Sequence, residues 1–134
     1  MIQISKQVDY AIQFLLALRS LPEGNYLSVR QFAKERNISF LFLQNIVRLL
    51  RQGGLVRATK GVQGGYRLAV SAQEINLYTI THALHGEYRT VPCMNCGSCP
   101  VAKTCTSKEF FSEFQKDMLA LMQTYTLADQ QPRS

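Results

Sequence analysis

The chain has 134 residues and a mass of 15.2 kDa, enough for one compact domain with an appended element. Hydrophobic residues make up 46% and charged residues 18%, which excludes a disordered or collagen-like chain. No apolar run approaches the roughly 20 residues that cross a bilayer. Asp9 and Gln13 interrupt the only segment that imitates a signal sequence, so we expect a cytosolic protein.

The net charge of +6 is unevenly distributed. Residues 1–70 hold ten Lys or Arg against three acids, a balance of +7, whereas residues 71–134 hold five against six, a balance of −1. A basic half of this kind indicates a polyanionic partner, because Lys and Arg that neutralise phosphates release condensed counterions. An ordinary basic surface is the alternative interpretation.

Three helices are predicted before the first glycine pair. Apolar side chains on helical spacing predict a helix over residues 5–19. Ser28 and Gln31 have the spacing of a capping box and open a short helix to about residue 36. Ser39 caps a third helix, which Gly53-Gly54 ends. A short helix, a tight turn and a second helix are typical of a helix-turn-helix.

The third predicted helix has an apolar side and a polar side. Its predicted buried stripe is Phe42, Leu43, Ile46, Leu49 and Leu50. The outer side is free of acids and carries Ser39, Phe40, Gln44, Asn45, Arg48, Arg51 and Gln52. Amide side chains pair with adenine and guanidinium groups with guanine in the major groove, so this side is predicted to read bases.

Two short β-prone runs follow, over residues 55–60 and 66–70, around a glycine-rich tip. A hairpin directly after a helix-turn-helix predicts a winged helix. The lysine precedes the glycines, which excludes a nucleotide-binding phosphate loop. The predicted DNA-binding residues are Ser28, Ser39, Gln44, Asn45, Arg48, Arg57, Lys60, Gln63 and Arg67.

A further helix is predicted over residues 75–86, packed on the winged unit. Capping-box spacing at Thr106–Glu109 then opens a long helix to about Thr124. This helix is apolar on more than one side, which favours a symmetric dimer that covers the apolar side chains left exposed by the chain's own fold. We therefore predict a DNA-binding domain over 1–86, a cysteine-rich loop over 87–106, and a dimerisation helix with its tail over 107–134.

Four cysteines, Cys93, Cys96, Cys99 and Cys105, are separated by two, two and five residues. Such spacing in a cytosolic chain indicates metal ligands rather than disulfides. Thiolates suit both zinc and iron–sulfur clusters. Three crowded cysteines followed by Pro100 are typical of ferredoxin runs, so a cluster is favoured, with zinc and metal-free redox thiols as alternatives.

The order of elements resembles the IscR/NsrR/RirA-like winged-helix regulators, the Rrf superfamily of bacterial iron–sulfur-dependent transcription factors. The resemblance covers nearly the whole chain. The motifs that carry it are Ser5 to Ala11, Ile38-Ser39 with Phe42-Leu43 and Ile46, Gly54-Leu55-Val56, Lys60-Gly61, Gly64 to Leu68, Tyr125 to Asp129, and the cysteine spacing.

The resemblance implies a ligand set. Cluster-binding members place three cysteines with five residues between successive ones, and Cys93, Cys99 and Cys105 meet that spacing. Lys108 occupies the position where one branch has a histidine ligand. Another branch takes an aspartate from the first helix of the partner subunit, and Asp9 stands at the corresponding position. Cys96 is the other candidate for the fourth ligand.

We therefore expect a dimeric bacterial transcriptional regulator, mostly helical with a β-hairpin wing, that binds a pseudo-palindromic DNA site. An iron–sulfur cluster, [4Fe–4S] or alternatively [2Fe–2S], would control its affinity in response to iron, nitric oxide or redox state. The residues form no paired-carboxylate, activated-serine or Cys–His catalytic site, so no enzymatic activity is expected. A cluster-free thiol-sensing regulator and a ferredoxin-like electron carrier are the alternatives.

Overall fold

The structure, a computed structural model, describes residues 3–59, 64–87 and 105–129. These residues form helices and one small antiparallel sheet, so the predicted mostly helical winged fold is confirmed. The elements are α1 (Lys6–Arg19), α2 (Val29–Arg36), α3 (Phe40–Gln52), β1 (Val56–Ala58), β2 (Tyr66–Leu68), α4 (Leu77–His85) and α5 (Lys108–Thr124). Single 3-10 turns occupy Ala72–Glu74 and Leu127–Asp129.

Local hydrogen bonds set the ends of α2 and α3. The hydroxyls of Ser28 and Ser39 each accept a backbone amide of the helix that follows, as predicted. The predicted capping box at Ser28 is only half formed. The Gln31 side-chain amide donates a hydrogen bond to Glu35 at 3.0 Å instead of bonding to the backbone of Ser28. Asn37 ends α2 with a left-handed φ of 56°, which asparagine tolerates better than most residues.

The hydrophobic core surrounds α3. Leu43, Ile46 and Leu50 are fully buried, in agreement with the predicted stripe. Phe42 and Leu49 are only partly buried, whereas Val47, which the stripe omitted, is buried. The buried arc is wider than predicted because α3 packs against α1, α2 and α4 together.

The wing is attached to the segment that precedes α2. Leu27 and Tyr66 exchange two backbone hydrogen bonds of 2.9 Å, which extends the β1–β2 sheet by one bridge. Gly65 permits this approach, because a Cβ at that position would lie 3.0 Å from the Leu27 carbonyl oxygen and from the Tyr26 Cβ. The wing and the start of the helix-turn-helix therefore form one surface.

The segment that follows α5, residues 125–129, packs beside the start of α4. The Leu77 amide donates to the Tyr125 carbonyl and the Leu127 amide to the Ile75 carbonyl, both at 2.9 Å. The Arg19 guanidinium donates to the Leu127 carbonyl. These bonds fix the C-terminal end of α5 against α1 and α4, and they assign Arg19 to an internal contact rather than to an open basic surface.

Two predicted helix starts differ from the structure. The helix predicted over 75–86 begins at Leu77, because Asn76 and Thr79 form a reciprocal capping box. The predicted capping box at Thr106–Glu109 is wrong: Ser107 is the N-cap and makes no side-chain capping bond. Its hydroxyl lies 3.4 Å from the Cys105 sulfur instead.

Helix α5 exposes apolar side chains. Phe110 is 71% exposed, Leu121 50% and Tyr125 59%, while Met122 on another side is buried. Among the described helices, none combines the length and apolar character needed to span a membrane. The predicted uncovered apolar face of α5 is thus present in the chain.

Candidate nucleic-acid interface

Four side chains on α3 share one side of the helix. Leu41, Gln44, Asn45 and Arg48 follow the i, i+3, i+4, i+7 spacing of one helix face, which we call the reading face. Leu41, Gln44 and Arg48 are exposed, and Asn45 is half-buried. The Arg48 Nη2 donates to the Asn45 Oδ1 at 2.6 Å, which orients both side chains while leaving the Asn45 amino group and further guanidinium N–H groups available.

Leu41 was missed by the sequence analysis, which placed it on neither side of the helix. It is 75% exposed, although leucine is usually buried. Its spacing from Gln44 and Arg48 is the signal that could have identified it. An apolar side chain on such a face can contact the methyl group of thymine.

The two serine caps lie at the N-termini of the helix-turn-helix. Ser28 Oγ accepts a hydrogen bond from the backbone N–H of Gln31 at 3.3 Å, and Ser39 Oγ accepts one from the backbone N–H of Phe42 at 3.4 Å. A serine hydroxyl that accepts one hydrogen bond still has a hydrogen to donate. Both serines can therefore donate to a phosphate oxygen while capping their helices.

Arg57 and Arg67 are directly opposite each other in the β1–β2 ladder. Like charges in this arrangement destabilise a sheet unless an anion offsets them. The Arg67 guanidinium carbon lies 5.7 Å from the centroid of the Tyr26 ring, a distance at which the cation and the ring attract each other. The paired arginines are a suitable site for a phosphate group. Lys60 and Gln63, predicted at the wing tip, lie outside the described residues.

Cys105 is the one cysteine among the predicted cluster ligands that the structure describes; Cys93, Cys96 and Cys99 lie outside the described residues. Hydrogen bonds from the Ser107 hydroxyl and the Ser107 and Lys108 amides, at the start of α5, lower the pKa of the Cys105 thiol from its ordinary value. A lowered pKa favours the thiolate, which is the form that binds iron. The environment of Cys105 therefore fits a ligand role.

Asp9, the predicted ligand from α1, is exposed. One of its carboxylate oxygens, Oδ1, accepts a hydrogen bond from the Gln13 amide at 3.2 Å. The other carboxylate oxygen does not take part in this hydrogen bond and can bind a metal atom held by a neighbouring molecule. Within residues 3–59, 64–87 and 105–129, no three His, Cys, Asp or Glu side chains form a group that could hold a metal ion.

A cavity of about 770 Å³ lies between the start of α1, the end of α4 and α5. Val8, Met118 and Met122 contribute apolar walls, and Ser5 Oγ lies 2.9 Å from His85 Nε2 at its edge. Gly86 and Glu87 also line it. The last described residues before the cysteine segment therefore lie at the junction of these three helices.

Comparison with known proteins agrees with this architecture. Residues 4–131 match the Rrf2 family, described as iron-dependent transcriptional regulators. The HTH-type transcriptional regulator NsrR of Halalkalibacterium halodurans is 31% identical over 129 residues, which cover 95% of this chain and 88% of that protein.

Two solved structures resemble the whole chain. CymR (YrzC), the global cysteine regulator of B. subtilis, superposes with a TM-score of 0.74 at 25% identity, over 96% of this chain and 95% of that one. The IscR of T. potens superposes with a TM-score of 0.72 at 23% identity, over 96% of this chain and 85% of that one, and it supports the fold alone.

These matches decide between the alternative classes of protein. A family of transcriptional regulators accounts for the basic winged unit, which an electron carrier would leave without a role. The absence of enzymatic activity that the sequence predicted agrees with this family. The chain is therefore a member of the Rrf2 family, a winged-helix transcriptional regulator and not an enzyme.

Proposed function

We propose that this protein is a dimeric, cytoplasmic bacterial regulator whose affinity for operator DNA is controlled by an iron–sulfur cluster. The observation that carries the DNA-binding part is the reading face, where exposed amide and guanidinium groups project from a helix whose opposite side is fully buried. The cysteine spacing and the environment of Cys105 support the cluster part.

On DNA, α3 enters the major groove and the reading face contacts base edges. Ser28 and Ser39 donate to phosphates on either side of the groove, and these contacts set the register of α3. The opposed pair Arg57 and Arg67 binds a backbone phosphate beside the wing, together with Lys60 and Gln63 of the tip. The basic residues supply affinity, and the reading face supplies sequence preference.

The cluster is held by Cys93, Cys99 and Cys105, with Asp9 of the partner or Cys96 as the fourth ligand. A [4Fe–4S] cluster is favoured by the number of crowded thiolates, and [2Fe–2S] is the alternative. When bound, the cluster supplies iron that reacts with oxidants or nitric oxide and is lost when iron is scarce. The role of Cys105 is to present a thiolate directly at the start of α5.

The dimer forms through the exposed apolar face of α5, where Phe110, Leu121 and Tyr125 are uncovered. Burial of this face against a second copy removes apolar surface from water on both chains. Two copies related by a two-fold axis present two reading faces, which match a pseudo-palindrome with half-sites about 34–36 Å apart.

The position of Cys105 supports a coupling between the proposed ligand site and the proposed DNA interface. Cys105 precedes α5 by a short turn, and the other end of α5 is hydrogen-bonded to the start of α4 and to Arg19 of α1. Ordering of the cysteine segment therefore biases the placement of α5 in the dimer, and with it the separation of the reading faces. A ten-thousandfold change in affinity needs about 5.5 kcal/mol of differential free energy.

A cluster-free, thiol-sensing regulator is the second candidate. The lowered pKa of Cys105 favours it as well, because the thiolate is also the form that oxidises. The similarity to CymR, which in Staphylococcus aureus has also been solved in an oxidized form, supports the same alternative. In this case DNA binding would respond to thiol oxidation and not to iron.

The DNA-binding part is tested by enriching duplexes from a random pool with the parent protein, then measuring their binding at two salt concentrations. We expect two-fold-related sequences, and we expect Arg48→Ala to cost about 1–3 kcal/mol and to relax the preference at one base pair. Lys116→Ala on α5 is the control and should bind like the parent. A pool without enrichment, or an equal loss for the two variants, would contradict the proposal.

The ligand set is tested by iron and sulfide quantitation of protein prepared without oxygen. Asp9→Ala and Cys96→Ala separate the two candidates for the fourth ligand: the variant that loses iron identifies it. Retention of full iron content by both variants would show that the fourth ligand lies elsewhere.

A further inference from the structure

Arg30, which the sequence analysis did not assign to the DNA interface, lies over the ring of Phe40. Its guanidinium carbon is 4.2 Å from the ring centroid. Arg30 is exposed, whereas Phe40 is half-buried and packs against the hydrophobic core. The ring is therefore fixed by the fold, and the cation rests on its solvent side.

Phe40 is the first residue of α3, between Ser39 and Leu41. Arg30, in the first turn of α2, is thereby held at the end of α3 that carries the reading face. Contact between the first turn of α2 and the first turn of α3 thus holds a positive charge beside the residues proposed to contact bases.

The geometry of the stack leaves Arg30 able to bind an anion. A guanidinium that lies over an aromatic ring still presents its N–H groups around its edge, and that edge matches the oxygens of a phosphate. The acid on the same helix, Glu35, accepts a hydrogen bond from Gln31 at 3.0 Å. The stacked arginine has fewer conformations to lose on binding than a freely rotating one.

We propose that Arg30 contacts a DNA phosphate beside the groove that α3 enters, and that Phe40 is the residue that positions it. This inference rests on the proposed function, because it requires the start of α3 to face DNA. It adds a contact that is independent of base sequence, and a reason for an aromatic residue at position 40.

The test measures affinity for the enriched duplexes and for random-sequence duplex between about 50 and 200 mM salt. Arg30→Ala should reduce the slope of log affinity against log salt by about 1.8 on both kinds of duplex, which is about 0.9 for each of the two protomers. Phe40→Leu should keep the slope, because the charge remains, and weaken binding about two- to fivefold as the stack is lost. Phe40→Tyr, which retains a ring, should restore the parent affinity.

Arg36→Ala is the matched control. Arg36 also lies over a ring, 5.3 Å from the centroid of Phe32, but it is six residues further along α2 and therefore about 120° around the helix. The Arg36→Ala variant should keep the parent's slope of log affinity against log salt. An unchanged slope in Arg30→Ala, an equal reduction in Arg36→Ala, or a loss limited to the enriched sequences would overturn the inference. If the parent itself shows no salt-dependent duplex binding, the proposed function fails as well.

Discussion

At the residue scale, the reading face combines one apolar and three polar side chains. Helical spacing was enough to predict that Gln44, Asn45 and Arg48 lie on the outer side of α3, and their proposed contact with bases stays a prediction. Leu41 was missed because an apolar residue in a helix is ordinarily assigned to the core, and only the structure shows that 75% of its surface is exposed. The Arg30–Phe40 stack was missed for a related reason: it joins two helices, and neither helix alone predicts it.

Leu41 should recognise a thymine methyl group. We expect the parent to prefer a duplex with thymine over one with uracil at a single position of one half-site by about fourfold, the value of one buried methyl group at about 0.8 kcal/mol. Leu41→Ala should remove this preference while leaving the thermal midpoint unchanged, because the side chain is exposed. Binding titrations with the two duplexes measure it; equal discrimination by parent and variant would contradict the assignment.

Cys105 should react as a thiol with a lowered pKa. In a variant with Cys93, Cys96 and Cys99 replaced by Ser, the pH of half-maximal alkylation should lie below the ordinary thiol value of about 8.5, because hydrogen bonds stabilise the thiolate. Ser107→Ala removes the largest of these contributions and should shift the profile upward. Ser112→Ala, an exposed serine on the same helix, is the control. An unshifted profile in Ser107→Ala would show that this hydrogen bond does not act on the thiol.

At the element scale, the helix ends were predictable where a single side chain determines them. Ser39 caps α3 with its own hydroxyl, and Gly54 follows the helix with a positive φ of 78°, so the structure agrees with both predicted ends. The capping box predicted at Thr106–Glu109 failed because α5 begins one residue later than that spacing requires, with Ser107 as the N-cap and the Ser107 hydroxyl beside the Cys105 sulfur. Val47 was missed as a core residue because the width of the buried side of α3 depends on how many other helices pack against it.

The attachment of the wing depends on Gly65. Gly65→Ala should destabilise the fold by about 1–3 kcal/mol, because the added methyl group meets the Leu27 carbonyl, part of a paired backbone that cannot move aside cheaply. Chemical denaturation measures the change. Ala58→Ser, at an exposed position of β1, should stay within about 0.5 kcal/mol of the parent. Equal stability of Gly65→Ala and the parent would mean that the wing is not held by this close approach.

At the scale of the whole molecule, the winged unit follows from the order of elements, but the dimer and the ligand set do not. A single chain shows only that α5 leaves an apolar face uncovered. The fourth ligand of the proposed cluster would be Cys96 or Asp9, and in the proposal Asp9 comes from a second chain. These features depend on contacts between molecules, which periodicity within one chain does not specify.

The dimer should depend on Leu121. Leu121→Glu introduces a charge into the proposed apolar interface, and sedimentation equilibrium should show a monomer where the parent is dimeric. Binding to the two-fold operator should weaken at least tenfold because the two half-sites are no longer bound together. Gln123→Glu adds the same charge at an exposed polar position of α5 and should remain dimeric. A dimeric Leu121→Glu variant would place the interface on another surface.

Control of DNA binding by a cluster is tested most directly by comparing two forms of one preparation. Protein purified without oxygen is assayed for iron and sulfide, and its operator affinity is measured before and after removal of the iron, at two salt concentrations. We predict stoichiometric iron and sulfide, and an operator affinity that changes at least tenfold on removal while binding to random-sequence duplex changes little. Iron-free protein from the anaerobic preparation, or equal operator affinity of the two forms, would contradict control by a cluster and favour the thiol-sensing alternative.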